Sequence, residues 1–173
     1  ILTALSRWHI AQISTPGDAE VSTSSSDDNT TLFKIGLVQP NIAQDIKWDP
    51  ASADKNLEKL LGLSYALVPQ NPDFIAWPET AYPFLISSSQ EKFDLHLSTP
   101  LLFGAVFNDE VSNKNAVIQL QADGQKVNHF SKRHLVPFGE YVPLKEYIPF
   151  GKVVENVGDF MPGSFAQNVL QIG

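Results

Sequence analysis

Three ionisable residues have the types and spacing that could do chemistry. Glu79 follows Trp77 and Pro78 in "DFIAWPETAYPF", at the point where a short apolar run gives out. Lys132 and Glu140 lie eight positions apart in "HFSKRHLVPFGEYVPL", separated by the stiff apolar bend Leu135-Val136-Pro137-Phe138-Gly139. A carboxylate at a strand end can act as a general base, and a neighbouring aromatic and imino acid can exclude water and raise a carboxyl's pKa toward the neutral range that role needs. A lysine held near it can stabilise developing negative charge, with a second carboxylate orienting or balancing the cation. Taken singly, each residue has a plainer reading. Glu79 is then an exposed carboxylate after a strand, Lys132 and Glu140 are surface charges, and the bend packs on a core.

The elements that must hold these residues follow from pattern. Phe33, Ile35, Leu37 and Val38 form a β-rich run ending at Pro40, which predicts a core strand over about 33–39. Asp49-Pro50 has the chemistry of a helix start, a capping Asp followed by Pro in the first turn. Behind it Leu57, Leu60, Leu61, Tyr65 and Leu67/Val68 recur at helical spacing until Pro69 and Pro72. "DFIAW" reads as the next strand, residues 88–97 as a second, weaker helix, and "PLLFGAVF" as a further strand. "NAVIQLQADGQKVNHFSK" reads as a hairpin in which Asp123-Gly124 supplies the positive φ angles of a two-residue turn. Two strand–helix–strand passages followed by a hairpin imply an α/β fold with a mixed sheet. Glu79 then sits at the C-terminal end of a strand, where ligands bind in open α/β sheets. From Pro137 onward, four prolines (137, 143, 149 and 162) punctuate a loop-rich segment.

Composition narrows the chemistry. Of 173 residues 43% are hydrophobic and 18% charged, which suits a globular domain able to bury a core. The net charge of −7 argues against nucleic acid, whose phosphates need Lys and Arg, and Lys132-Arg133-His134 is too short a basic run to change that. The sequence contains no cysteine, so within it there is no disulfide, thiolate metal site or thiol nucleophile. His9, His96, His129 and His134 have no metal-ligand spacing and read as structural or solvated. No G-x-S-x-G elbow and no phosphate-cradling glycine loop is present. No metal or cofactor is implied. The apolar start, "ILTALSRWHIAQI", reads as the end of a membrane-proximal segment over 1–13, and the Ser, Thr, Asp and Gly of 14–31 as a flexible linker, leaving 32–173 as the domain. A chain running from Ile1 to Gly173 in this way is expected to be a piece of something longer.

Together, "IGLVQPNIAQDIKWDP", "AWPETAYP" and "SKRHLVPFGEYVPL" resemble the catalytic domain of bacterial apolipoprotein N-acyltransferases, members of the nitrilase (carbon–nitrogen hydrolase) superfamily. The resemblance runs from about Phe33 to Gly163. It implies a four-layer αββα sandwich, incomplete here at its C-terminus, and a Glu–Lys–Cys triad. By motif, Glu79 matches the general base and Lys132 the lysine that stabilises the tetrahedral oxyanion. Glu140 matches a further glutamate needed for activity, and Trp48 a tryptophan near the site. The resemblance also implies a phospholipid acyl donor, an apolipoprotein acceptor, and a bacterial inner-membrane enzyme whose domain faces the periplasm. Trp48 and Phe138 are candidate substrate-binding residues along an acyl path; for Tyr141 plain loop packing is the preferred reading. The family's cysteine follows the segment matching "GSFAQNVLQIG", so truncation before the nucleophile is expected, with the chain inactive alone. Two alternatives stand beside this reading: a soluble nitrilase-type amidase, and a nucleophile-free domain that keeps the fold to bind a lipid or protein.

Overall fold

The computed structural model describes residues 34–143, 159–167 and 170, and they build a mixed sheet packed against one long helix. The expected membrane-proximal segment over 1–13 and the linker over 14–31 lie outside the described residues, as does Phe33. Strand β1 (Ile35–Leu37) is shorter than the pattern predicts. It is followed by a single turn of helix, α1 (Gln44–Lys47). Asp49 caps the next start as expected, its side chain accepting from the Ala51 N–H at 3.1 Å, but Pro50–Ser52 form a 3₁₀ turn before the helix α2 (Ala53–Leu67) proper. Of the periodic residues, Leu60 is fully buried and Leu57, Leu61, Leu67 and Val68 pack around it. Tyr65 differs. It is half-exposed at the edge of the stripe, its hydroxyl donating to the Leu95 carbonyl at 3.0 Å.

Strand β2 (Phe74–Ala76) runs parallel to β1, with Gly36 opposite Ile75, and parallel to β4 (Leu101–Asn108). The short β3 (Ile86–Ser87) pairs with the far end of β4. Strands β5 (Asn113–Leu120) and β6 (Lys126–Ser131) continue the sheet antiparallel. The order is β1-β2-β4-β5-β6, so the mixed sheet expected from sequence is present. One face, with Ile75, Leu101, Phe103, Ala105, Phe107, Ala116, Ile118 and Leu120, forms the core beneath α2. An aromatic cluster of Trp77, Tyr82 and Phe93 surrounds Phe103 at centroid distances of 5.2–5.8 Å. The opposite face carries Leu37, Leu102, Val106, Val117 and Phe130 in register, and Leu37 and Val117 on it are exposed.

Two expectations are corrected. Residues 88–97 form no helix: Phe93, Leu95 and Leu97 are buried while Asp94, His96 and Ser98 are exposed, the alternation of an extended chain. Residues 91–93 instead lie along the β5–β6 connection, with the Phe93 N–H bonded to the Gly124 carbonyl at 3.0 Å and the Lys126 N–H to that of Glu91 at 2.7 Å. The hairpin exists, but its turn is not the two-residue one. Gly124 alone has positive φ (80°), its N–H bonds back to the Gln121 carbonyl, and Asp123 contributes its carboxylate to the Gln125 N–H instead of a left-handed backbone. A longer connection with one left-handed glycine is the other common solution for a hairpin.

Candidate active site

Glu79 is placed by a close crossing of backbones. After β2, Trp77 still pairs with β4 through its N–H to the Leu102 carbonyl (2.8 Å), and its side chain turns into the core, where the indole N–H donates to the Ser64 hydroxyl at 2.8 Å. Pro78 then lifts the chain over β4, its carbonyl accepting from the Gly104 N–H at 3.2 Å. A Cβ on Gly104 would lie 2.6 Å from Glu79 Cα and 2.7 Å from the Pro78 carbonyl oxygen, so only glycine lets the loop lie this low. Thr80 next adopts a left-handed backbone (φ 48°), which a β-branched residue avoids and which costs about 1–3 kcal/mol. Lys47 of α1 reaches it there, donating to the Thr80 hydroxyl (2.8 Å) and the Glu79 carbonyl (3.1 Å). The crossing delivers the Glu79 side chain to the sheet face opposite the core.

The two other sequence candidates meet it there. Lys132, just past β6, bonds through its N–H to the Asn115 carbonyl (2.7 Å), and its carbonyl accepts from the Gly163 N–H (2.9 Å). The Gln167 side-chain amide grips the preceding residue on both sides, accepting from the Ser131 N–H (2.6 Å) and donating to the Ser131 carbonyl (2.9 Å). Lys132 Nζ lies 3.0 Å from Glu79 Oε1 and 3.1 Å from each Glu140 oxygen. Glu140 is carried by a tight bend in which the Glu140 and Gly139 N–H groups both return to the Val136 carbonyl. Phe138 sits in that bend with a left-handed backbone (φ 61°), the second strained residue beside a carboxylate of the cluster.

The two carboxylates are in different states of engagement. Glu140 has a side chain only 13% exposed; its Oε1 accepts from Asn115 Nδ2 (2.7 Å) and Lys132, its Oε2 from the Val136 N–H (2.8 Å). Burial alone would push its pKa up, but the Asn115, Val136 and Lys132 donors outweigh it and hold the carboxyl below its ordinary value. Glu79 is 62% exposed; its Oε1 accepts from Lys132 and from Asn115 Nδ2 (2.6 Å), while Oε2 has no partner among the described residues. Bonds to Glu79 and then to Glu140, against some burial, raise the Lys132 pKa and keep it a cation. The expectation that Trp77 and Pro78 shield Glu79 from water is therefore overturned. The indole lies on the other face of the sheet, and the carboxylate is open to solvent.

Trp48 and Phe138 are exposed, 53% and 63%, and no hydrogen bond joins either ring to the carboxylates. Trp48 caps α1 beside Lys47, whose Nζ stands 5.5 Å from its ring centre. Three contributors were not singled out by sequence: Asn115, which bridges both carboxylates, Gly104 and Lys47. An isolated glycine inside "LLFGAVF" is the signal that points to Gly104; nothing local in "NKNAVIQL" singles out Asn115. Lys47 likewise leaves no mark in the sequence.

No family model matches the chain. Curated relatives do. It is 34% identical over 144 residues to the apolipoprotein N-acyltransferase of Geobacter metallireducens, which covers 76% of this chain and 28% of that protein. It is 34% identical over 155 residues to that of Brucella suis, covering 80% and 29%. Over the matched segment, the chain is a homologue of the apolipoprotein N-acyltransferases. It spans under a third of the length of these relatives. Among solved structures, a carbon–nitrogen hydrolase superfamily protein of Xanthomonas campestris aligns with 60% of this chain and 42% of its own, at 20% identity and a TM-score of 0.47. Among the described residues no helix is long and apolar enough to cross a membrane.

Proposed function

We propose that the chain is the base-and-cation part of an acyl-transfer site, in a protein that moves an acyl chain from a phospholipid to the N-terminal amine of apolipoproteins. The observation that carries this reading is the unequal engagement of the two carboxylates. Glu140, saturated with donors, is suited to fixing Lys132 and is a poor proton acceptor. Glu79, with an open oxygen beside the same ammonium, is suited to taking a proton from an incoming group.

Glu79 removes the proton of a cysteine thiol, because the thiolate is the effective nucleophile. The thiolate attacks the ester carbonyl, and Lys132 stabilises the oxyanion that forms. Glu79 returns its proton to the departing lysophospholipid oxygen as the thioester forms. In the second half it accepts a proton from the acceptor amine as nitrogen displaces sulfur. The 173 residues hold no cysteine, so on this reading the thiol belongs to sequence outside them and the chain alone does not acylate. The half-exposed apolar face bearing Leu37, Val117 and Phe130 supports a second sheet packing there, as in an αββα sandwich. The family's membership of the bacterial inner membrane, with this domain in the periplasm, belongs to the same proposal.

The test is intact-mass analysis of the complete protein after incubation with phospholipid. An acyl adduct on a cysteine after residue 173, released by hydroxylamine and discharged by a lipopeptide amine, is expected. A complete protein without such a cysteine, or one whose adduct water discharges while the amine does not, contradicts the transferase reading, the second outcome favouring an amidase.

A further inference from the structure

A pocket of about 260 Å³ adjoins Glu79 on the α1 side of its loop, away from Lys132. Its wall is mixed: four side-chain amides (Gln39, Asn41, Gln44 and Asn56), Lys47 and Glu79 share it with five apolar residues, three of them prolines. It is smaller than the ~300–1,000 Å³ of typical small-molecule sites, which suits a compact group better than an acyl chain. Among the described residues, Lys47 is the only cation on that wall. Its two hydrogen bonds run to uncharged oxygens, the Glu79 carbonyl and the Thr80 hydroxyl, which leaves one of the three ammonium N–H groups without an acceptor among the described residues. Burial lowers the Lys47 pKa and the Glu79 charge opposes that fall. A half-buried cation bonded only to neutral oxygens, with four amides beside it and the Glu79 charge acting on it only through space, is an arrangement that can receive an anion.

We propose that this pocket binds the phosphodiester headgroup of the acyl donor, with Lys47 contacting a phosphate oxygen and the amides meeting the remaining polar atoms. This rests on the acyltransferase reading. In a glycerophospholipid the phosphate is only a few bonds from the ester that must meet Glu79 and Lys132, so a headgroup subsite beside Glu79 has the right spacing. It also gives Lys47 two linked tasks. The same ammonium that holds the strained Glu79–Thr80 turn touches the donor, so headgroup binding fixes the base where the ester arrives.

Calorimetric titration of the full chain with glycerophosphoethanolamine, the deacylated headgroup, tests this, with inorganic phosphate and glycerol as parallel arms. Saturable one-site binding of the phosphodiester is expected, with no binding of glycerol and weaker binding of phosphate. Lys47→Gln should weaken the diester about ten- to hundredfold, the loss of one charge-assisted bond, while Lys47→Arg retains most of it. Because Lys47→Gln also loosens the Thr80 turn, Gln44→Glu serves as the second variant: it puts a carboxylate on the pocket wall at an exposed position and should weaken binding similarly. Undiminished binding in both variants, or no saturable binding, overturns the proposal. Phosphate binding as tightly as the diester overturns the headgroup assignment in favour of a free-phosphate site. Failure here with an intact acyl thioester leaves the acyltransferase reading standing; headgroup binding without any thioester removes that reading instead.

Discussion

Asn115 gives one side-chain nitrogen to two carboxylates, at 2.6 Å to Glu79 and 2.7 Å to Glu140, and Lys132 closes the ring from the other side. Two carboxylates sharing so small a space repel each other unless donors are fixed between them. Here the donors are a neutral amide and a single ammonium, each shared between the two, and Glu140 accepts from the Val136 N–H besides. Its lowered pKa sets a sign for stability against pH. The stabilisation from Glu140 is complete above the ordinary value of 4.5 and is lost as pH falls through the lowered one. Lys132 is raised, so its contribution is complete below 10.5 and is lost only as pH climbs through the raised value. Urea unfolding of the chain should therefore give a stability plateau between these limits, and Glu140→Gln should flatten the acid limb. An acid limb of unchanged steepness in that variant would show that Glu140 is not the ionised, donor-held group described here.

At the scale of elements, the site depends on a loop crossing a strand, and this is where sequence reasoning was strong in some places and weak in others. Helix α2 was legible because Leu57, Leu60 and Leu61 repeat at its period and Asp49-Pro50 marks its start. The strands β2 and β4 were legible as short apolar runs. Residues 88–97 misled because Phe93 and Leu97 are also four apart, and one such pair fits a helix as well as the alternation that packs them here. The meeting of Glu79, Lys132 and Glu140 was legible only through motif likeness; no local pattern predicts that β5 carries Asn115 between them. Gly104 ties the elements to the chemistry. Gly104→Ala should leave the sheet folded, as judged by far-ultraviolet circular dichroism, yet lift the Pro78–Thr80 crossing and lower acylation by the complete protein about tenfold to a hundredfold, since ångström misplacement of a reacting group costs on that order. Wild-type acylation by this variant would mean that the crossing does not set the position of Glu79.

For the whole molecule, the two faces of the sheet have different fates. One is sealed by α2 and the aromatic cluster around Phe103; the other bears the candidate site and a half-exposed apolar stripe. If a second sheet covers that stripe in the complete protein, Val117 becomes buried there. Val117→Asp should then destabilise the complete protein by about 1–3 kcal/mol, the cost of burying an unsatisfied polar group, and lower its Tm by several degrees. An unchanged Tm would argue that the face stays open.

The division of labour between the two glutamates is tested most directly by the single-turnover rate of acyl-thioester formation in the complete protein, compared between wild type, Glu79→Gln and Glu140→Gln under folded conditions. Glu79→Gln is expected to abolish the thioester at every pH, whereas Glu140→Gln should lower its rate yet preserve its pH dependence, because the base is still present. Thioester formation at the wild-type rate in Glu79→Gln, or loss of the basic step only in Glu140→Gln, would contradict it.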